Sequence, residues 1–196
     1  MKSLKGSLLI ASPGLVDPNF VRTVVFVAEH NDEGAFGLVL NRPAELKVAD
    51  LWTSISGEAS TSSARALFGG PVQKNAVLLL HGEMDLAKEA DPIVPGVYLG
   101  SEVDLLGELL RRESSRKDSA SATAAFPAAF RVFCGYSGWG AGQLDTEMKA
   151  GGWLTSPASA EHVFHQTPEK LWNSTLGSLG GVYKFYALMP SNPEMN

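Results

Sequence analysis

The sequence predicts an α+β fold with a mostly antiparallel sheet. Stretches typical of strands and stretches with helical spacing do not alternate regularly along the chain, which disfavours a parallel β-α-β architecture. Two apolar, β-branched runs, residues 22–30 and 35–40, flank a short polar turn and predict a tight antiparallel hairpin. Twenty glycines and eleven prolines among 196 residues indicate many turns and argue against a helical bundle.

Seven short strands are predicted from runs rich in apolar and β-branched residues. The second strand of the hairpin stops before Pro43, because proline cannot donate to a sheet ladder. In chain order the predicted strands cover residues 6–11, 22–30, 35–40, 76–81, 97–100, 130–134 and 161–165.

Four helices are predicted from apolar spacing and from start and stop signals. The first three cover residues 48–55, 102–112 and 141–149. The last begins at Pro168, with Thr167 as its N-cap, and ends at the glycine pair 180–181. Strands therefore outnumber helices, and the sheet is expected to carry the fold.

The chain is expected to form one domain over residues 1–196, since this length can bury a core without disulfides or metals. The serine- and alanine-rich residues 114–125 predict a flexible insert, and a tail is expected from about residue 190. The apolar run near the N-terminus, residues 7–11, is too short for a signal-peptide core or a membrane span. A cytoplasmic location is the expectation.

The overall charge disfavours several classes of partner. A net charge of −5 provides no general attraction to nucleic acid or to an anionic membrane, so neither is expected as a partner. The basic residues within 111–117 form the only candidate basic patch. Cys134 is the single cysteine, which excludes an internal disulfide and a cysteine zinc cluster.

The central stretch, residues 130–153, is the strongest candidate for a functional site. A strand ending at Cys134 leads into the glycine- and aromatic-rich segment 135–140, which is predicted to be a turn, and then into a helix. Such an arrangement brings backbone N–H groups together at a place where a ligand can bind. A sharp structural corner needs the same residues, so both interpretations stay open.

Known catalytic and cofactor motifs do not match this stretch. A nucleophile elbow around Ser137 needs a glycine where Trp139 stands, and a dinucleotide fingerprint needs a glycine where Gln143 stands. A phosphate-binding Walker loop lacks its lysine. The four histidines are dispersed, and His162 and His165 would point to opposite faces of a strand. No metal and no cofactor is therefore expected.

Two polar residues of the third helix share a face. Gln143 and Glu147 are four residues apart, so their side chains are neighbours. One hypothesis makes Glu147 a general base and Gln143 an orienting amide. The favoured alternative is that both hydrogen-bond buried backbone in a tight corner.

Cys134 also allows two interpretations. A thiol before a glycine turn and a helix N-terminus can have a lowered pKa and act in redox or nucleophilic chemistry. A buried, unreactive thiol is favoured, because free cysteine is among the most buried residue types.

Two further corners carry candidate ligand groups. At the first, Asn41 and Arg42 precede a proline, and Arg42 offers an anion a bidentate fork. At the second, Gly69 and Gly70 offer backbone N–H groups. The alternative for Arg42 is an ion pair that locks the corners, for instance with Glu147.

The order of short motifs resembles one bacterial family. The matching segments cover residues 6–13, 17–25, 29–30, 34–43, 69–72, 80–81 and 135–147. On these residues the chain resembles the AlgH/YqgE family, whose members are largely uncharacterised and one branch of which is named for a proposed role in regulating alginate production. The resemblance implies a branched sheet rolled into a pseudo-barrel with helices around it. The insert 114–125 departs from the family pattern.

Two functional hypotheses follow from these residues. The favoured one is a binding or regulatory module, not an enzyme, that recognises an unknown protein or a small anionic ligand. The candidate site then consists of Asn41, Arg42, Gly69, Gly70, Gly135, Ser137, Trp139, Gln143 and Glu147. The alternative is a hydrolase or transferase that uses Ser137 or Cys134 with Glu147.

Overall fold

The computed structural model describes residues 3–118 and 130–189. Within these ranges nine strands and six α-helices are present, together with two short 3-10 turns. The strands are β1 (Ser7–Ala11), β2 (Val24–Asn31), β3 (Gly34–Val39), β4 (Pro43–Lys47), β5 (Arg65–Phe68), β6 (Val72–His81), β7 (Tyr98–Gly100), β8 (Phe130–Gly140) and β9 (Trp153–Pro157). The helices are α1 (Val48–Ser56), α2 (Val103–Asp118), α3 (Gln143–Lys149), α4 (Ala160–Val163), α5 (Leu171–Ser178) and α6 (Tyr183–Leu188).

All nine strands belong to one sheet that branches at β8. Its main path runs β4-β5-β8-β3-β2-β1-β9, while β6 also pairs with β8 and carries β7 on its other side. The β5–β8 pair is parallel, and the other pairs are antiparallel. The expected α+β class with a branched, mostly antiparallel sheet and flanking helices is therefore confirmed. Among the described residues β4 and β9 each have one neighbour, so the sheet is not closed into a barrel.

The segment predicted to be a glycine turn is instead part of a strand. β8 runs through Gly135, where φ is 71° and the register with β6 shifts, and it ends at Gly140 after pairing with β3 over its last four residues. Its side chains alternate, with Ser137 and Trp139 buried and Gly138 and Gly140 exposed. The turn prediction was wrong because glycines occupy the outward positions and remove the apolar pattern by which a strand is usually recognised.

Other sequence predictions were also wrong at the level of single elements. Residues 161–165 were predicted to be a strand, but α4 occupies most of them, followed by a turn. β4, β5, β9 and α6 were not predicted. Residues 114–118, predicted to begin a flexible insert, are the last residues of α2. The rest of that insert and the tail from about residue 190 lie outside the described residues.

Buried apolar side chains form two clusters. The larger one joins β1, β2 and β3 to α5 and contains fully buried Leu8, Phe26 and Leu176. The smaller one joins α1 and α2 to β6 and β8 and includes Trp52. Within the described ranges, no helix has both the length and the apolar character needed to cross a membrane.

Candidate functional site

The glycine corners predicted from the sequence are points of close contact between backbones. The backbone N–H of Gly69 donates to the Cys134 carbonyl at 2.9 Å, and the Gly69 carbonyl accepts from the Val39 N–H at 2.9 Å. A Cβ atom added at Gly69 would lie 2.2 Å from the Gly135 carbonyl oxygen. These groups are therefore occupied by the sheet rather than presented to a ligand.

Ser137 belongs to the same contact. Its residue is 0% exposed, and its hydroxyl donates to the Gly69 carbonyl at 3.1 Å. Gly70 has a φ of 151°, and an added Cβ would lie 2.4 Å from the Ser137 Oγ. The serine thus fills the space that two glycines leave open, and its hydroxyl is hydrogen-bonded within the core.

Asn41 and Arg42 hold the segment that precedes β2. The Asn41 Oδ1 accepts from the Val24 N–H at 2.8 Å, and its Nδ2 donates to the Arg22 carbonyl at 2.9 Å. Arg42 donates to the Val21 carbonyl at 3.2 Å. Both side chains therefore satisfy backbone groups of one neighbouring loop.

The structure does not pair Arg42 with Glu147 in the described part of the chain. Burial lowers the pKa of Arg42, and the negative charge of Asp17 partly offsets this effect. Asp17 is therefore the carboxylate that acts on this guanidinium. It lies in the loop between β1 and β2, which the sequence analysis did not include in the site.

Glu147 is the centre of a hydrogen-bonded group that we term the indole–carboxylate cluster, comprising Trp139, Gln143, Glu147 and Trp153. Glu147 Oε2 accepts from the Trp139 Nε1 at 3.0 Å and from the Trp153 Nε1 at 2.8 Å. Its Oε1 accepts from the Gln143 amide at 3.0 Å. The Gln143 oxygen in turn accepts from the Gly140 N–H at 3.1 Å. The helical pair predicted from spacing is therefore brought together and joined to two tryptophans.

Three consecutive elements of the chain, β8, α3 and β9, supply the side chains of the indole–carboxylate cluster. Trp139 lies near the end of β8, Glu147 on α3, and Trp153 at the start of β9. A turn at Gly151, with a φ of 77°, reverses the chain between α3 and β9. The sequence analysis missed Trp153, although an indole directly after a glycine pair that ends a helix was a usable signal.

A cleft of about 960 Å³ opens beside the indole–carboxylate cluster, and we term it the Trp cleft. Phe20 packs against both indoles, with ring centroids 6.0 Å from Trp139 and 5.4 Å from Trp153, and the two indoles are 6.2 Å apart. The indoles are 6% and 3% exposed, so they form the floor of the cleft rather than an open cage. The lining consists of Ser12, Gly14, Leu15, Val16, Asp17, Pro18, Asn19, Phe20, Pro71, Gly138, Trp139, Gln143, Glu147, Ala150, Gly151, Gly152 and Trp153.

Cys134 lies away from this cleft. It packs, half-buried, against the smaller apolar cluster. Burial raises the pKa of the thiol, which favours the protonated and less reactive form. Neither Cys134 nor Ser137 lines the Trp cleft, so the structure does not bring either one together with Glu147 at this opening.

Within the described side chains, the histidines and the basic residues of α2 are explained by contacts inside the protein. No group of three or more potential metal ligands occurs in the ranges 3–118 and 130–189. Arg112 is bonded to Glu83, Asp85 and Glu108, and Arg116 to Glu83. The candidate basic patch of α2 is therefore largely neutralised by carboxylates.

The described part of the chain thus defines an α+β protein with a branched sheet, one aromatic cleft and no assembled nucleophile–base pair at that cleft. The family described as AlgH-like matches residues 8–184. The chain belongs to this family, as the motif resemblance implied.

Relatives and solved structures agree with this assignment. A UPF0301 protein of Chlorobaculum tepidum is 39% identical over 191 residues, covering 97% of this chain and 95% of the relative. One from Chlamydia caviae is 36% identical over 192 residues, covering 98% and 95%.

Two solved structures show the same fold. The solution structure of the AlgH protein from Pseudomonas aeruginosa has a TM-score of 0.71 at 28% identity and covers 97% of this chain and 96% of its own. The crystal structure of a Corynebacterium diphtheriae protein has a TM-score of 0.73 at 19% identity, covers 96% and 93%, and supports the fold alone.

Proposed function

We propose that this protein is a non-catalytic binding module whose ligand occupies the Trp cleft. The observation that carries the proposal is the cleft itself, about 960 Å³ in volume, with a rigid floor of buried indoles fixed by Glu147. A concave, mostly apolar site with a few fixed polar groups is the usual form of a binding site. Reversible occupation of such a site is sufficient for a regulatory role.

The chemistry of the lining favours a cationic ligand with apolar flanks. Asp17 and Glu147 are acidic, and no lysine, arginine or histidine is among the residues that line the cleft. The carboxylate of Glu147 already accepts three hydrogen bonds. Asp17 is exposed at the rim, where its Oδ1 accepts from the Asn19 N–H at 2.7 Å and its charge also acts on Arg42, so its remaining acceptor capacity faces the ligand. For this cleft the charge therefore favours a cation over the small anion expected from the sequence.

A segment of a partner protein is the occupant that we propose. The rim extends along the loop between β1 and β2, where Val16 is 87% exposed and Pro18 is also exposed. An apolar rim next to a carboxylate complements a lysine or arginine that is flanked by apolar side chains. Gly138 and Gly152 leave room for a peptide backbone to approach the floor.

The enzyme alternative has no comparable support. Ser137 is buried with its hydroxyl bonded to a carbonyl, and the pKa of Cys134 is raised by burial. Activity-based probes for serine and cysteine nucleophiles are therefore expected to leave the native protein unlabelled. Stoichiometric labelling of either residue would instead favour the alternative.

The binding proposal can be tested through the two indole N–H signals in ¹⁵N NMR spectra. Peptides in which an arginine lies between leucine and proline residues are expected to shift the Nε1–H signals of Trp139 and Trp153, and peptides with glutamate in its place are not. Asp17→Asn should weaken binding several-fold. Asp32→Asn removes the same charge from an exposed turn outside the cleft and should leave it unchanged.

Absence of any shift with basic peptides would contradict the proposal. Equal binding of basic and acidic peptides would contradict the assigned role of the carboxylates. The variant Asp17→Asn keeps the fold intact in our expectation, because Asp17 is exposed, and circular dichroism checks this point.

A further inference from the structure

A second cavity, of about 420 Å³, lies between the start of α2, the end of β7 and the loop after β6, and we term it the His81 cavity. It shares no lining residue with the Trp cleft. Its lining consists of His81, Leu86, Ala87, Lys88, Glu89, Ala90, Leu99, Gly100, Glu102, Asp104, Leu105 and Glu108. The proposed function makes no use of these residues.

His81 is the distinctive group of this cavity. The residue is 1% exposed, and its ring stacks on Tyr98 with centroids 5.6 Å apart. Its Nδ1 is buried and has no hydrogen-bond partner within the described part of the protein. A buried polar atom without a partner is uncommon in native proteins, because it loses its hydration without compensation.

The free nitrogen has the properties of a hydrogen-bond acceptor. Burial lowers the pKa of His81, which favours the neutral form of its ring. A neutral imidazole carries one proton, so the nitrogen that does not donate presents a lone pair. We assign that lone pair to the unpartnered Nδ1, and its natural partner is a donor supplied by a bound molecule.

The electrostatic surroundings favour a positively charged donor. The charged groups that act on the His81 ring are the carboxylates of Glu83, Asp85 and Glu102. Arg112 and Arg116 pair with Glu83, and Arg112 with Asp85, which offsets much of their charge, so Glu102 is the main source of negative charge at the ring. In the lining, Glu108 is paired with Arg111 and Arg112, which leaves Glu89, Glu102 and Asp104. The ammonium of Lys88 is the single basic group of the lining; its side chain is 79% exposed and lies 3.8 Å from Glu102. Lys88 therefore belongs to the solvent side and does not neutralise the cavity.

The walls of the cavity are fixed before any ligand binds. Arg112 of α2 donates to Glu83 at 3.0 Å and to Asp85 at 2.6 Å, which ties the loop after β6 to the helix. Leu99 and Leu105 supply apolar surface between the histidine and the acidic rim. A preformed wall lowers the ordering cost of binding a small molecule.

From these observations we propose that the His81 cavity is a second ligand site, which binds a small organic cation carrying N–H donors, such as a primary amine or a guanidine. The ligand donates to His81 Nδ1, its charge is balanced by Glu102, and its short carbon chain lies against the leucines. A divalent metal is disfavoured, since no set of three ligands is present among the described residues.

The test uses n-butylamine, agmatine, n-butanol and butyrate as probes with the complete protein. ¹⁵N spectra of the histidine rings report directly on the acceptor nitrogen. We expect the His81 Nδ1 signal to shift with both amine probes and not with the alcohol or the acid. His81→Phe keeps an aromatic ring against Tyr98 and should weaken agmatine binding about tenfold, the loss expected for one hydrogen bond to a charged donor.

Two outcomes would overturn the proposal. One is an unchanged His81 Nδ1 signal at a high amine concentration, which would mean that the amine does not donate to this nitrogen. The other is equal binding of n-butanol and n-butylamine, which would make the site apolar and indifferent to charge. Should His81→Phe not fold, Glu102→Gln is the second variant, with Glu58→Gln in the exposed segment after α1 as its matched control.

Discussion

Replacement of Glu147 by alanine tests the indole–carboxylate cluster most directly. The substitution leaves the N–H groups of Trp139 and Trp153 without their acceptor, and these residues are 6% and 3% exposed. Each hydrogen bond from a buried donor to a charged acceptor contributes about 1.5–3 kcal/mol, so two give about 3–6 kcal/mol. Because Glu147 is half-buried and water can replace part of its role, we expect Glu147→Ala to lower the free energy of unfolding by about 2–4 kcal/mol.

Urea unfolding followed by far-ultraviolet circular dichroism is the appropriate assay. Tryptophan fluorescence is less suitable, since the substitution changes the surroundings of two of the four indoles. Glu147→Gln retains one neutral acceptor oxygen and should lose about half as much stability. Glu58→Ala removes an exposed carboxylate and should change the free energy by less than about 0.5 kcal/mol. A loss below about 1 kcal/mol for Glu147→Ala, with an unchanged m-value, would refute the assigned role.

Three further predictions address other parts of the molecule. Gly70→Ala should destabilise the protein by more than about 3 kcal/mol, because a Cβ there would lie 2.3 Å from the Tyr136 backbone, whereas Gly14→Ala should be nearly neutral in the same urea assay. Burial lowers the pKa of His81 in the folded protein below its ordinary value of 6.5. At a pH just below 6.5 the unfolded state therefore binds more protons than the folded state, and thermal stability should fall as the pH drops below 6.5. His81→Phe should reduce this slope but not abolish it, since burial also lowers the pKa of His162; an unchanged slope would contradict the argument. Cys134, whose pKa is raised by burial, should resist iodoacetamide at pH 7.5 in the native protein and react in urea, and mass spectrometry distinguishes the two outcomes.

The predictable elements were those with a local signal. The first strand, the hairpin and helix α1 follow apolar periodicity that is set within about ten residues, and the structure places them within a few residues of the prediction. Helix α2 begins where it was predicted but continues to Asp118, beyond its predicted end at residue 112. β4 and β5 carry no such signal. β4 is exposed at four of its five positions, and it is a strand only because β5 pairs with it.

The part of the candidate site that was predicted correctly also depends on local sequence spacing. Gln143 and Glu147 share a helical face, so their contact follows from local geometry. Trp153 reaches Glu147 across only six residues, through the turn at Gly151, so this contact was also within reach of a local reading. Phe20 arrives from the loop that follows β1, and its contacts with Trp139 and Trp153 join distant parts of the chain, which no local pattern specifies.

The strand character of residues 135–140 changes which residues of the central stretch can act on a ligand. In a strand, residues two apart point to the same side, so Ser137 and Trp139 both point into the core. There Ser137 is held by Gly69, and Trp139 by Glu147. A nucleophile elbow needs an exposed serine on a sharp turn, whereas Ser137 is buried and lies in the part of β8 that pairs with β3.

Chemistry at this stretch is therefore confined to its end, where the sheet stops and α3 begins. At that point Gln143 is exposed, Glu147 is half-buried, and the loop carrying Asp17 lies opposite across the Trp cleft. Substitutions of Ser137 or Gly135 are expected to act through stability, because these residues are enclosed by backbone. Asp17 and Gln143 line the opening of the Trp cleft, so substitutions there act on the ligand site directly. If such a substitution weakens binding and leaves the free energy of unfolding unchanged, the cleft is a ligand site and not only a structural corner.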